Sequence, residues 1–328
     1  MRVAVTADLH FGPQARLSHA VPGPYTSRLR DRMRCFDWIV EGALDRGCER
    51  LCILGDFCDS RVRVDIPTLA AMAASLESAR VEGLRVIMIP GNHDCYFRDT
   101  SATALDPFDI DSRFVRVVHL PTVVDGIGFV PWSDDAARLA RDCREMVGGV
   151  GILFSHIGLA GFTPDGLDPD DLSLGKFDRV LLGDVHEPSD LGESIAYVGA
   201  PMQHDFGDAG GVRGFVVLDT ESGDCEFVEN GESPRFHVVE SERDVGGIRR
   251  GDFVRVRSRG GGSELVESCR AATGWVDADV VDAKVARPRL DTSGSDGDVM
   301  RRFVDYVGPD NPGAVLDFGL GIMRESGL

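Results

Sequence analysis

The chain has 328 residues, 43% of them hydrophobic, and a formal net charge of −19 at pH 7. Its apolar runs fall well short of the roughly 18 consecutive residues that span a bilayer, and residues 1–5 lead straight into a strand, so a soluble cytoplasmic protein with no membrane partner is expected. The eight cysteines (35, 48, 52, 58, 95, 143, 225 and 269) contain no Cys-x-x-Cys pair, which argues against a zinc ribbon or a disulfide framework and for reduced thiols. Residues 1–100 carry 13 Arg against 13 Asp/Glu, so the acidic excess lies beyond residue 100. Within that remainder residues 249–290 hold nine Lys/Arg against six Asp/Glu, a basic island that reads as a partner-facing patch or as chance.

Residues 2–6 predict a short apolar strand ending at Asp8-Leu9-His10, followed by a loop over 11–26 with three prolines and two glycines. From Ser27, the three-to-four spacing of Leu29, Met33, Phe36, Ile39, Val40, Ala43 and Leu44 predicts a helix that Gly47 stops. Arg28, Arg30, Arg32 and Arg34, spaced by two, fan around that helix and read as solvated surface. Residues 51–54 form the next strand, ending at Gly55-Asp56-Phe57-Cys58-Asp59; Pro67 opens a helix that Gly83 closes. Residues 85–89 are a third strand, stopping at Pro90-Gly91-Asn92-His93-Asp94. Apolar strands alternating with helices predict parallel pairing, with helices on both faces of the sheet.

Strands are next expected over 114–119 and 128–130, and a helix over 134–146 capped by Asp134. Residues 152–154 end at Ser155-His156, 168–174 read as a short polar helix, and 180–182 end at Gly183-Asp184-Val185-His186. Residues 195–198 end at Gly199-Ala200-Pro201, and 214–219 pair with 224–228 as a hairpin about Thr220-Glu221-Ser222-Gly223. A polar linker is expected over 241–248. Beyond it a strand (253–257), a glycine run, a helix (263–272) and a second strand (279–285) make a β-α-β unit, and two helices over 298–307 and 314–324 close the chain.

The polar residues that follow these strands are Asp8, His10, Asp56, Asn92, His93, His156, Asp184 and His186. The carboxyl ends of parallel strands lie along one edge, so residues far apart in sequence share a pocket there. Oxygen and imidazole-nitrogen donors without a thiolate suit manganese, iron or zinc, and the richness in carboxylates leans toward manganese. Two divalent ions about 3.5–4 Å apart clamp a phosphate, activate a water and stabilise the leaving oxygen. Asp56 is the natural bridging carboxylate. His93 is left over to assist the transition state or protonate the leaving oxygen, with Asp94 beside it to orient it.

Together, Asp8-x-His10, Gly55-Asp56-x-x-Asp59, Gly91-Asn92-His93-Asp94, Ser155-His156 and Asp184-x-His186 resemble the calcineurin-like metallophosphoesterase signature. Tyr197-Val198-Gly199-Ala200-Pro201, with Phe206-Gly207-Asp208 and Arg213-Gly214-Phe215, narrows the resemblance to SbcD-type DNA exonuclease subunits, in particular short phage-encoded recombination endonuclease subunits. The likeness covers residues 1 to about 240, and the remainder by architecture alone. It implies an α/β fold: a metallophosphoesterase β-sandwich flanked by helices over 1–240, a small α+β DNA-capping domain over 249–290, and C-terminal helices over 295–328. It also implies one metal ion on Asp8, His10, Asp56 and His186 and a second on Asp56, Asn92, His156 and Asp184, with His93 catalytic. The family usually carries His where this chain has Asp184; three carboxylates leave about +1, rather than about +2, on two divalent ions. Asp59 reads as a turn-stabilising carboxylate. His19, His119, His204 and His237 carry no metal role; His204, in the segment after Pro201, either lines the pocket or, as the expected case, lies at the surface.

The expected function is a manganese-dependent DNA nuclease, an exonuclease with endonuclease activity left open, in DNA repair and recombination. The family implies a homodimer partnered by an SMC-like ATPase of the SbcC type docked on the terminal helices, in the host cytoplasm if phage-encoded. Arg255, Arg257 and Arg259 alternate along a strand and its exit, and either reach DNA phosphates together or line a solvated edge. Two rival readings are a metallophosphoesterase for a small phosphoester, which would need neither the appendage nor the terminal helices, and a non-catalytic scaffold, which predicts missing ligands where only position 184 departs from the pattern.

Overall fold

The computed structural model describes residues 1–96, 102–109, 111, 113–259, 263–273, 275–281, 295–307 and 311–325. In chain order the elements are β1 (Arg2–Thr6), α1 (Ser27–Asp45), β2 (Arg50–Leu54), α2 (Ile66–Val81), β3 (Arg85–Ile89), β4 (Val115–Val117), β5 (Thr122–Val124), β6 (Ile127–Val130) and α3 (Ala136–Met146). Then follow β7 (Ile152–His156), β8 (Arg179–Gly183), β9 (Ser189–Asp190), β10 (Ile195–Tyr197), β11 (Gly214–Asp219), β12 (Cys225–Glu229), β13 (Phe236–Val239), β14 (Phe253–Arg259), α4 (Ser263–Ala272) and β15 (Trp275–Val281). The last two, α5 (Asp296–Val307) and α6 (Pro312–Glu325), pack on each other in a compact unit separate from the one that holds residues 1–257 and 263–279.

Two six-stranded sheets, in the orders β12-β11-β1-β2-β3-β4 and β5-β6-β7-β8-β10-β9, make the body, and β13-β14-β15 form a third, smaller sheet. Side chains alternate along each strand. Ala4, Leu51, Ile53, Val86 and Met88 are buried on the face that meets α1 and α2. Val3, Val5, Cys52, Leu54, Ile87 and Ile89 are buried on the other face, against Ile127, Phe129, Ile152, Phe154 and Leu181 of the second sheet. The expectation of helices on both faces of one sheet is therefore corrected. The chain steps in one direction from β1 to β2 to β3, so both right-handed crossovers return on the same side, and a second sheet covers the opposite face. The second sheet's outer face packs on α3 through Leu139, Ala140 and Cys143 against Val130, Leu153, Val180 and Leu182. The result is a β-sandwich with its helices outside.

Local chemistry sets the element ends. Thr26 and Asp65 cap α1 and α2 by accepting from Leu29 N and Thr68 N, with Pro67 in the first turn of α2. Asp135, rather than Asp134, caps α3, accepting from Ala137 N and Arg138 N. Strand β5 escapes the sequence reading, although Asp125-Gly126, with φ of 51° and 83°, is the two-residue turn that pairs it with β6. Residues 169–173 form successive turns and Leu174–Lys176 a single 3₁₀ turn in place of the expected helix; Asp168 Oδ1 accepts from Asp170 N at 2.9 Å, an Asx contact that competes with helical bonding. The third sheet begins at β13, parallel to β14, before the expected linker, and that linker holds a 3₁₀ turn boxed by Ser241 and Asp244. Strand β15 starts at Trp275 instead of 279, and residues 282–285 of the expected strand lie outside the described residues.

The solvated reading of Arg28 and Arg32 is also corrected, since both are wholly buried. Arg28 donates to the carbonyl of Gln203 (3.0 Å) and to Gln14 Oε1 (3.2 Å), and its guanidinium lies over the rings of Phe253 (4.9 Å) and Phe236 (5.4 Å). Arg32 donates from Nε to the Leu9 carbonyl at 3.2 Å. No helix among the described residues is long and apolar enough to cross a membrane. All eight cysteines are free thiols, and seven are buried.

Candidate metal centre

The turns after β1, β2, β3 and β8, with the last residue of β7, bring the expected ligands into one place. Asp8, His10, Asp56 and Asp184 hold left-handed backbone, with φ of 55°, 49°, 52° and 93°, a conformation that costs a non-glycine residue energy and clusters at functional sites. Contacts from turn to turn hold it. Asp8 N donates to Gly55 O (3.0 Å), His10 N to Asp56 O (2.8 Å), His93 N to Asp56 Oδ1 (2.8 Å) and Asp184 N to Asp8 Oδ2 (3.2 Å). Gly55 and Gly91 make room for this approach; a Cβ on either would overlap the His156 ring or Asp56.

Three overlapping groups of donors result: Asp8, His10 and His186 form the first, Asp8, Asp56 and His156 the second, and His10, Asp56 and His93 a third that shares a residue with each, with the ligand atoms of each group within 4.8 Å of one another. In the first, the Nε2 atoms of His10 and His186 face each other at 3.2 Å, and His10 Nε2 lies 3.7 Å from Asp56 Oδ2. In the second, His156 Nε2 lies 3.0 Å from Asn92 Oδ1, 3.5 Å from Asp184 Oδ1 and 3.6 Å from Asp56 Oδ1. Asp56 reaches both the first group and the second. The Leu54 carbonyl, 2.7 Å from His156 Nδ1, can only accept, so that nitrogen carries a proton and Nε2 is the atom that faces the cluster.

This donor set fits divalent cations. Asp8 Oδ1 is buried without a hydrogen-bond partner, and facing imidazole nitrogens and carboxylate oxygens present lone pairs to a shared space. Burial lifts the Asp8 carboxyl above its ordinary range, and the Asp56 charge adds to the lift against the pull of His156. Burial opposes protonation of His156, yet Asp56, Asp184 and Asp8 hold it well above the usual imidazole range. That concentration of negative potential is what a bound cation relieves.

His93 stands at the rim, half-exposed. Its Nδ1 is 3.2 Å from the Asp59 carbonyl and 3.9 Å from Asp59 Oδ1, and its ring meets that of His10 edge-on at 4.9 Å. Asp94 does not face it, which corrects the orienting role expected of that residue. The Asp94 carboxylate is buried and accepts from Cys58 N (2.8 Å), Gly91 N (2.9 Å) and Phe57 N (3.4 Å), tying the β2 turn to the β3 turn. The contact that orients His93 comes from Asp59, whose Oδ1 also lies 3.2 Å from His10 Nδ1.

Two residues to which the sequence reading gave no metal role, His204 and Asp208, support the cluster. His204, expected at the surface, is buried; its Nε2 donates to the Asp8 carbonyl at 2.7 Å and its ring packs against those of His10 and His186. Burial, with His10 and His186 beside it, holds His204 neutral, in keeping with that single donor. Asp208 lies 3.3 Å from His186 Nδ1, accepts from His204 N (2.7 Å) and pairs with Arg213 (3.0 Å). Of the basic triplet, Arg255 and Arg257 do share the face opposite buried Val254 and Val256. Arg255 is already committed to Asp277 (2.9 Å) and to the Phe206 ring (4.1 Å), Arg257 is exposed, and the Arg259 side chain lies outside the described residues.

Comparison with known proteins places this geometry. A family profile described as calcineurin-like phosphoesterase matches residues 1–188. Exonuclease subunit 1 of Enterobacteria phage T4 is 26% identical over 190 residues, 54% of this chain and 54% of that protein, so the match spans about half the length of this curated relative. Among solved structures, TT1561 of Thermus thermophilus is 13% identical with a TM-score of 0.45, covering 70% of this chain and 98% of that one. A dimetal phosphatase from Danio rerio is 11% identical with a TM-score of 0.39 (66% of this chain, 91% of that one), and Pseudomonas putida nuclease MPE is 19% identical with a TM-score of 0.27 (59% and 66%). The profile spans more than half of the chain and takes in every strand-end residue from Asp8 to His186: the chain belongs to the calcineurin-like phosphoesterase family.

Proposed function

We propose that the chain is a two-metal phosphodiesterase that hydrolyses DNA, foremost as an exonuclease, with manganese as the preferred ion. The observation that carries this reading is the convergence of Asp8, His10, Asp56, Asn92, His156, Asp184 and His186 from five strand ends, with Asp56 reaching both the first donor group and the second. Likeness to an exonuclease subunit supports the choice of substrate.

Asp8, His10, Asp56 and His186 would hold one ion, and Asp56, Asn92, His156 and Asp184 the other. When bound, the ions supply Lewis acidity toward phosphoryl oxygens and a water polarised for attack. His93 donates Nδ1–H to the Asp59 carbonyl, which turns Nε2 toward the leaving oxygen; as the imidazolium, the ring would give its second proton, on Nε2, to that oxygen and keep the one on Nδ1. Asp208 and the Leu54 carbonyl fix the rings of His186 and His156. Asp184 adds a third carboxylate, so two ions keep about +1, which weakens phosphate attraction and tightens the hold on metal. The same reading takes residues 249–290 as a DNA-capping domain, with Arg255, Arg257 and Arg259 as its candidate phosphate contacts. It takes α5 and α6, with exposed Phe303 and Phe318, as the dock of an SMC-like ATPase of the SbcC type, the whole acting as a cytoplasmic homodimer in DNA repair and recombination.

The test incubates purified protein with Mn²⁺ and end-labelled linear DNA, beside His93→Ala and a generic small phosphodiester. Wild type is expected to release label in a Mn²⁺-dependent way, and the variant to do so about 10²–10⁴-fold more slowly. Hydrolysis of the small ester but not of DNA, even with the ATPase partner present, would replace the nuclease reading with a small-phosphoester one. Hydrolysis of neither would overturn both.

A further inference from the structure

Beside the metal centre lies a cleft of about 380 Å³ that opens on Asn92 and Asp184 and is walled by Arg61 and Trp132. Trp132 follows β6, and its backbone N–H donates to the Pro90 carbonyl at 3.1 Å, which fixes the indole beside the Gly91-Asn92-His93-Asp94 turn. The Arg61 guanidinium lies over that indole, 5.9 Å from the ring centre. Arg61 also meets the Asn92 amide, and the two orientations of that amide have opposite consequences. With its nitrogen turned inward, Asn92 donates to Asp56 and its oxygen accepts from Arg61 Nη2 at 3.3 Å. With its oxygen turned inward, as ligation of a cation requires, its NH₂ opposes the Arg61 guanidinium, donor against donor. An anion on the guanidinium resolves that conflict, and a phosphate arriving at the adjacent cluster is such an anion.

We infer that Arg61 and Trp132 form a subsite for one nucleotide of a nucleic-acid strand, Arg61 taking the phosphate and Trp132 stacking on an unpaired base. This rests on the nuclease reading and sharpens it: the strand presented to His93 is single-stranded or frayed. Exposed Asp134 and Asp165 also line the cleft; they repel a second phosphate and accept hydrogen bonds from base amino groups, so the cleft takes a base and not a continuing backbone. The base is gripped through its π-face, which every base has, so the subsite selects for strand state more than for sequence.

The test is equilibrium binding by fluorescence anisotropy, with full-length protein, Mn²⁺ and a labelled phosphorothioate oligonucleotide, either intact or abasic at both terminal positions. Wild type is expected to bind the intact strand about ten-fold more tightly. Trp132→Leu, which keeps apolar volume without a π-face, abolishes that preference, and Trp132→Phe retains most of it. Arg61→Ala weakens binding of both strands alike and lowers the salt slope by about one phosphate. A Trp132→Leu chain that still prefers the intact strand overturns the subsite while leaving the nuclease reading in place. Wild type that neither binds nor cleaves DNA overturns the nuclease reading, and the subsite with it.

Discussion

Asp94 and Asp208 do related work on two sides of the cluster, each a buried carboxylate that holds something else in position. Asp94 offers two oxygens to three backbone amides, so Asp94→Asn sets an amide NH₂ against at least one of them. The expected loss is about 1–3 kcal/mol of stability, read by thermal or denaturant unfolding. Burial, with Asp56 nearby, pushes the Asp94 carboxyl up to about 7, although amide bonds from Gly91 and Cys58 pull the other way. Against an unfolded value of about 3.9, the folded state binds this proton more tightly, so metal-free protein loses stability as pH rises from about 4 to about 7, and Asp94→Asn flattens part of that slope. Asp208→Asn frees the His186 ring, and manganese affinity, followed by titration, is expected to fall about 10–100-fold. The proposed ligands were legible because each lies at the end of an apolar strand. The position of Asp94 was legible but its contact was not, since its carboxylate turns to backbone amides of the neighbouring turn; Asp208 and His204, outside the strand ends, have no spacing that marks a supporting role.

At the scale of elements, strands and helices were legible where hydrophobic period, caps and glycine stops coincide, as in α1, which Thr26 starts and whose chain turns away at Gly47. The face a helix buries was less so. Apolar spacing placed Leu29 and Phe36 inward, but Arg28 and Arg32 share that face because residues 203 and 204 and two phenylalanine rings cover it, a long-range fact that no local window contains. The third sheet depends on a similar buried centre. Asp252 accepts from Arg249 N (2.8 Å), Arg235 N (2.9 Å) and His237 Nε2 (3.0 Å), joining the approaches to β13 and β14. Burial opposes its charge, but His237 and the two amides hold its carboxyl down to about 2. Because that lies below the unfolded value of about 3.9, the stabilisation is complete above about pH 4 and is lost as pH falls toward 2. Asp252→Asn is expected to remove this acid limb and to cost about 1–3 kcal/mol, seen as faster amide exchange in β13 and β14.

For the whole molecule, order along the chain carried most of the information. Strand ends from residue 8 to residue 186 act together only because two sheets stack with their ligand-bearing turns at one site, and parallel strands joined by helices made that arrangement readable; the second sheet's place over the first was visible only through the family resemblance. The basic face of β14 is a weaker inference from sequence, since alternation shows which way a side chain points and not what already occupies it. With Arg255 held by Asp277 and Phe206, Arg257 is expected to carry most of any phosphate contact, so Arg257→Ala lowers the salt slope of DNA binding by about one and Arg255→Ala by less. The account rests above all on two ions sharing Asp56, with Asp184 completing the second. Elemental analysis of protein equilibrated with Mn²⁺ and freed of unbound metal tests this directly: two ions per chain are predicted for wild type and one for Asp184→Ala, whereas a wild type that holds fewer than two, or a variant that keeps both, would contradict it.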